Sequence, residues 1–529
     1  MVSSRPATSA STPAPPRLAI NGVTAEVKAA IAPSLVWLSD EMLFRYQRCQ
    51  RRPYLDQHGD RSRRDPPSDY LSKIKQDSIE HRRAVLAPYQ PLERPIYPAR
   101  DWQAGAAATQ ALMQQGANYI HRGVLMAPGP DGVRYVSQPD LLFKQPGQSW
   151  LGDWCYVPLS IKLGKKPKAE YQTVATFYAY LLAETQGLWP ETSWLVLREG
   201  NAYAIDLQRQ VPRLQAALDG CLATLQADQP PEIFIARSRC DLCEWFSHCY
   251  AQAQQQQHLS LLPGVTLSRY PHLQRAGITT VESLAQTPPT ELMQLLTIEM
   301  PVAQKLAGQA QATLQESAIA RPPRHPEHDF PLRPSDLPSA SVELYFDIEA
   351  APDKDLIYLH GVLVVDYAAQ TETFHALVAE APDAEQSAWL AFLNLVSQHP
   401  QAPIYHFCPY EAHTVKRLSH QYGSAGVDIE SLLHRFVDIH QRITEAVSLP
   451  VESYALKPIA RWLGFEWRDE DANGAQSICW YDDWLTTGDR AYLNTILRYN
   501  EDDCRATYRI KDWLVQFSMP FWENLARSE

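Results

Sequence analysis

Apolar and polar positions divide the chain into segments with different periods. VELYFDIEA, Val342 to Ala350, alternates along its length and reads as a strand with two unlike faces. LIYLHGVLVVD, which follows, has the apolar run of a central hairpin partner. Near the end, ILRYNEDDCRATYRIKDWLV reads as a helix. Upstream, LSLLPGVTLSRYPHLQRAGITTVESLA predicts a helical hairpin that turns at Gly277, with Thr279 or Thr280 as the N-cap of its second helix. WCYVPLSIKLGKKPKAEYQTVATFYAYLL predicts a strand, a basic loop and a helix. RPPRHPEHDFPLRPSDLPSAS carries six prolines, cannot form a helix interior and predicts a linker.

These segments predict an α/β multidomain chain. At 529 residues it is too long for one core. The expected order is a disordered Ser/Ala/Pro/Thr-rich tail over 1–33, a first domain over 34–255, a helix-hairpin-helix-like region over 256–318, a linker over 319–341 and a last domain over 342–529. No stretch of some 18 uninterrupted apolar residues appears, so no transmembrane helix and no membrane partner are expected. The N-terminus lacks the apolar core of a secretory signal, and a cytoplasmic protein is expected.

Charge changes this picture locally. The net charge of −12 does not suggest a nucleic-acid binder. Yet Arg45 to Arg83 holds 11 Lys/Arg against 6 Asp/Glu, and Lys162 to Lys168 holds four lysines. Such runs are solvated faces or nucleic-acid grips.

Candidate chemistry appears in two places. Asp347 and Glu349 lie two apart on the predicted strand and so share a face, where they repel unless a cation lies between them. Hard cations such as Mg²⁺ or Mn²⁺ take such oxygen ligands. Tyr499 and Asp503 lie four apart on the predicted last helix and share a face there. Elsewhere, Cys240, Cys243 and Cys249 form a C-x2-C-x5-C run with Cys49 far upstream. Four thiolates suit zinc or an iron–sulfur cluster.

The acids, in this order, resemble the first and third motifs of the DEDD 3′–5′ exonucleases, which have a ribonuclease-H-like mixed sheet. The resemblance implies a middle acid, for which Glu411 in IYHFCPYEAHTVKRL is the candidate, although an Asp in an Asn-x-x-x-Asp context is usual. Asp438 is the other option, as a further acid or as a helix cap. The segment SYALKPIARWLGFEW, with Ser453 and Lys457, resembles the helix that precedes the last motif in such domains. The implied mechanism clamps the scissile phosphate between two metal ions about 4 Å apart, with Tyr499 orienting the attacking water.

The cysteine layout resembles that of AddB-like and CRISPR-associated RecB-like nucleases, where a [4Fe–4S] cluster staples a PD-(D/E)xK restriction-endonuclease-like domain; zinc is the alternative. That resemblance makes His81 and Asp140 metal-site residues and Lys162 the catalytic lysine, with Gln172 and Tyr178 on the following helix. The acid expected two residues before Lys162 is Ser160, a poor Mg²⁺ ligand, so the fold is expected with doubtful cleavage. The whole order resembles bacterial RecB-like nucleases with a C-terminal exonuclease-like domain. It implies a 3′–5′ DNA exonuclease of repair or recombination, with nucleic acid and a helicase or repair protein as partners. The alternatives are a nucleic-acid-binding adaptor with decayed nuclease sites and an RNA-trimming exonuclease.

Overall fold

The computed structural model describes residues 37–323 and 329–528. The expected tail over 1–33 lies outside the described residues. The chain divides into two compact units. The first comprises residues up to 67 together with Leu71–Ile233 and Ser238–His248; the second comprises Ser68–Tyr70, Phe234–Arg237 and Cys249–Glu529.

The first unit is built on a mixed six-stranded sheet. Its order is Leu92–Glu93, Tyr119–His121, Leu141–Ser149, Gly152–Ile161, Ser193–Val196 and Ala202–Ile205. Gly152–Ile161 and Ser193–Val196 run parallel, joined through the helix Ala169–Gln186. Parallel neighbours need such a crossover. Cys155 to Ile161 are all buried, as a strand covered on both faces must be. Phe177 and Leu181 of the helix pack with Tyr156 and Leu142 in the main core.

The second unit begins with short helices, Tyr270–Arg275, Val281–Gln286, Pro289–Leu296 and Met300–Gln315, around Leu273, Leu284, Leu292 and Leu306. Gly277 turns the chain at φ 77°, where a side chain would be strained. Thr280 caps the next helix, its hydroxyl accepting from the Ser283 amide.

A five-stranded sheet follows, ordered Thr371–Val378, Leu356–Asp366, Val342–Ala351, Ile404–His406 and Phe436–Asp438. The first three are antiparallel and the last two join in parallel. The period of two along Val342–Ala351 decides what each side of the sheet covers. Leu344, Phe346 and Ile348 pack with Trp389 and Phe392 of the helix Glu385–Gln398. Tyr345 packs on the opposite face with Ile510 and Leu514 of the long helix Arg490–Ser528. Asp347 and Glu349 share the parity of Tyr345, so the strand presents both to that helix.

The proline-rich segment is not a free spacer where it is described. Ile319–Ala320 pairs antiparallel with Val447–Ser448. Phe330, Leu332 and Leu337 are buried in the same core as Ile510. Proline excludes a helix interior, but the apolar residues between the prolines still bury. Residues 324–328 lie outside the described residues.

Candidate metal centre

Three elements of the second unit converge on one carboxylate cluster. Asp347, Glu349 and Asp503 offer oxygens that all lie within 4.8 Å of one another. Glu349 and Asp503 are 6% and 7% exposed, while Asp347 is half-buried. Opposite Asp347 in the register stands Gly361. A Cβ there would fall 1.6 Å from Asn500 Oδ1, so glycine is what lets the last helix approach the strand.

Each acid is held by a neutral donor. Asn500 Nδ2 donates to Asp347 Oδ2 at 2.6 Å, Ser477 Oγ to Glu349 Oε2 at 2.7 Å, and Trp467 Nε1 to Asp503 Oδ1 at 2.7 Å. Tyr358 is hydrogen-bonded to Ser477, and Tyr499 hydrogen-bonds the Asp503 carboxylate. These donors orient the acids without cancelling their charge. Burial, then repulsion from Asp503, raises Glu349 to about 8. Burial raises Asp503 to about 7 against the donors from Trp467 and Tyr499. Asp347 is pushed well above the carboxylate range by burial and then by Asp503, Glu349 and Glu411. A buried cluster of this kind favours protons or a cation.

The run Glu501-Asp502-Asp503 is sorted by its partners. Asp502 accepts from Arg468 Nε at 2.8 Å, and Glu501 pairs with the same arginine at 2.9 Å. Asp503 alone of the three turns to the cluster. Lys457 lies over the rings of Trp467 and Tyr499, at 5.1 and 5.2 Å, and its charge favours ionised Asp503.

Glu411 opens the helix Tyr410–Tyr422, after the strand Ile404–His406 that runs parallel to Val342–Ala351. It is 4% exposed and stands outside the tight triad, but its charge bears on Asp347. His406 Nδ1 donates to the Cys408 carbonyl at 2.6 Å and lies 3.4 Å from Glu411 Oε2, an oxygen without a hydrogen-bond partner. Asp438 has another task. Its Oδ1 accepts from the Gln441 amide and from the Cys408 amide, each at 3.1 Å, capping the helix Ile439–Ala446. Cys408, held at φ 83°, makes the sharp turn between strand and helix.

The N-terminal candidates are arranged differently. Asp140 is buried, with Oδ2 accepting from the Ile161 amide at 2.7 Å and Oδ1 paired to Arg82 Nε at 2.7 Å. Ser160 is fully buried, its hydroxyl without a partner. His81 keeps a buried Nε2 without a hydrogen bond, and burial lowers its pKa. Lys162 acts on Asp40, whose carboxylate also accepts from Tyr178 OH at 2.7 Å. Gln172 donates to the Pro167 carbonyl at 2.8 Å. Among the described residues, these side chains and the cysteines do not form a group of three ligand atoms within the reach that joins Asp347, Glu349 and Asp503. Cys49, Cys240 and Cys243 belong to the first unit and Cys249 to the second. Burial raises the Cys243 thiol, which favours its protonated form. No cysteine cluster that indicates an iron–sulfur site is seen among the described residues.

Asn500, Ser477 and Trp467 were not expected from the sequence. Asn500 lies three before Asp503 on one helix face, a spacing that marks it. Trp467 ends the segment SYALKPIARWLGFEW, where only Ser453 and Lys457 were marked, and Ser477 lies in a segment with no motif of its own; only the packed structure brings the two to the acids.

Residues 344–515 match the family RNase_H_2, described as RNase_H superfamily. The match spans all three clustered acids, Glu411 and Tyr499. No curated protein matches the chain. The C-terminal region is thus a ribonuclease-H-like, nuclease-like domain with a mixed sheet and an acidic triad consistent with a metal-binding catalytic site. Among the described residues no helix is long and apolar enough to cross a membrane.

Proposed function

We propose that the chain is a divalent-metal-dependent 3′–5′ exonuclease acting on DNA in repair or recombination, with Asp347, Glu349 and Asp503 as the metal site. The observation that carries this is the triad itself: three carboxylates within 4.8 Å, oriented by neutral donors. The donor set is all oxygen and fits Mg²⁺ or Mn²⁺. Glu411, buried beside His406 with its charge bearing on Asp347, fits a fourth acid beside it. When bound, such ions lower the pKa of water and stabilise a leaving oxygen.

The chain's own residues do the rest. Asn500, Ser477 and Trp467 fix the rotamers of the three acids, so that the site is formed before substrate arrives. The Tyr499 hydroxyl, held at Asp503, orients the attacking water. Burial keeps the phenol protonated, so that it serves as a hydrogen-bond group and not as a base. The test is degradation of end-labelled DNA and RNA by purified protein with Mg²⁺ or Mn²⁺. Stepwise release of mononucleotides from the 3′ end of DNA is the expected result. Failure to degrade either polymer with either ion would overturn the reading.

For the first unit we read a PD-(D/E)xK-like fold that grips nucleic acid without cutting it. Support comes from the strand–helix–strand order around Ala169–Gln186, from the four lysines of 162–168, and from an Asp140 already neutralised by Arg82. The iron–sulfur reading of Cys49, Cys240, Cys243 and Cys249 rests on their spacing. Iron and sulfide analysis of anaerobically purified protein tests it, and stoichiometric zinc without iron would replace the cluster by the zinc alternative.

A further inference from the structure

The first unit has a cavity of about 510 Å³ that the proposed cleavage site does not use. It is the size of a small-ligand pocket. Its lining includes Arg82, Arg83, Arg94 and Arg122, together with His121, and no carboxylate side chain. The sequence and topology explain the gathering. Arg82 and Arg83 close the helix Asp69–Leu86. Leu92–Glu93 and Tyr119–His121 pair in parallel with Glu93 beside Ile120, so Arg94 and His121 leave the sheet side by side. Arg122 follows directly.

Two of the four guanidinium groups are engaged. Arg82 holds Asp140 at 2.7 Å, and Arg122 donates to Gln138 Oε1 at 3.2 Å. Among the described residues, Arg83 and Arg94 show no ion pair and no side-chain hydrogen bond, and both are exposed. The same lining carries Leu86, Leu92 and an Ile79 that is 46% exposed, with Ile79 one helix turn before Arg83. Unpaired guanidinium groups beside exposed aliphatic surface suit a ligand with a compact anion and a flat apolar body. Arginine forks match phosphate oxygens in pairs.

We propose that this pocket binds a nucleotide phosphomonoester, with Arg83 and Arg94 on the phosphate and Ile79 against the base. The inference goes beyond the cleavage reading and does not depend on it. The same chemistry is offered by the phosphorylated end of a single strand and by a free nucleoside monophosphate.

The test uses the full chain in EDTA, so that hydrolysis plays no part. Fluorescent single-stranded dodecamers carrying a 5′-phosphate, a 3′-phosphate or only hydroxyl ends are titrated by anisotropy, with AMP as competitor. One phosphorylated strand is expected to bind about tenfold more tightly than the hydroxyl strand, the scale of one charge-assisted hydrogen bond. Arg83→Ala/Arg94→Ala is expected to erase that preference with an unchanged melting temperature, and Arg83→Gln alone to reduce it. If AMP displaces the strand, the free nucleotide is the ligand. If AMP does not while the preference stands, the strand end is. Equal affinity for phosphorylated and hydroxyl strands without AMP binding would overturn the proposal. So would an equal loss for every strand in the double variant, which marks a diffuse electrostatic face.

Discussion

Asp140 in the first unit and the triad in the second, buried but for the half-buried Asp347, are carboxylates beside a sheet, yet their partners differ in kind. Asp140 faces an arginine and a backbone amide, so its negative charge is met within the protein. Asp347, Glu349 and Asp503 face an amide, a hydroxyl and an indole, which orient them and leave three negative charges in one small volume. A buried charge has to be paired or neutralised. The first site is complete within the chain, and the second calls for protons or a cation. Two sites that look alike as acidic motifs in a sequence thus separate by the charge of what surrounds them.

The largest effect that tests this contrast is loss of nucleotide release. Asp347→Asn and Asp503→Asn should each bring metal-dependent degradation to background, with far-ultraviolet circular dichroism unchanged. Asp140→Asn should leave the rate as it was and cost about 1–2 kcal/mol of stability in a denaturant melt, since Arg82 loses its partner but reaches water. Equal loss of activity in all three variants would break the contrast.

The orienting donors come next. Asn500→Ala and Ser477→Ala should lower activity or metal affinity about 10–100-fold, as removal of such supports does. Gly361→Ala should imitate Asn500→Ala, because its Cβ would meet Asn500 Oδ1 at 1.6 Å. Isothermal titration with Mn²⁺ reads the affinity directly. A Gly361→Ala protein with unaltered metal affinity would show that Asn500 does not have to stay where it is.

A smaller effect is the pH dependence of the metal-free protein. Glu349 and Asp503 are raised from ordinary values of 4.5 and 3.8 to about 8 and about 7. Between those limits the folded state holds protons that the unfolded state has released, so stability falls as pH rises. In EDTA the melting temperature should therefore decline from pH 5 through pH 8, and Asp347, raised in the same direction, carries the decline further. Each kcal/mol is worth about 2–4 °C in a domain of this size. Mn²⁺ should remove the decline, and Asp503→Asn should shrink it. A flat profile in EDTA would mean that the acids are ionised and compensated without metal.

The sequence made the acidic strand legible, because a period of two gives Asp347 and Glu349 one face whatever the rest of the chain does. It made Asp503 legible only through its spacing from Tyr499; nothing local distinguishes it from Asp502, which Arg468 claims. For the proline-rich segment the sequence predicts a linker and is silent on its packing, since prolines report what backbone is excluded and not whether Phe330 and Leu332 find a core. Arg82 was invisible as a partner of Asp140, 58 positions away in the chain and joined to it only by folding.

The finest distinction lies between Glu411 and Asp438, both expected as possible fourth acids. Asp438 ends one strand, in register with His406 of the parallel neighbour, and Glu411 opens the helix that follows that neighbour. Asp438 spends one oxygen on two amides and caps a helix; removing it should cost about 1 kcal/mol, the usual value of such a cap, and little activity. Glu411 is buried beside His406, and its charge acts on Asp347. Its removal relieves a repulsion, so metal-free Glu411→Gln should melt no lower than the parent, while its affinity for Mn²⁺ and its rate of nucleotide release should fall. Asp438→Ala should show the opposite pair, a lower melting temperature with affinity and rate nearly kept. If Glu411→Ala keeps full activity and full metal affinity, Glu411 is not the fourth acid, and loss of both in Asp438→Ala would move that role across to the neighbouring strand.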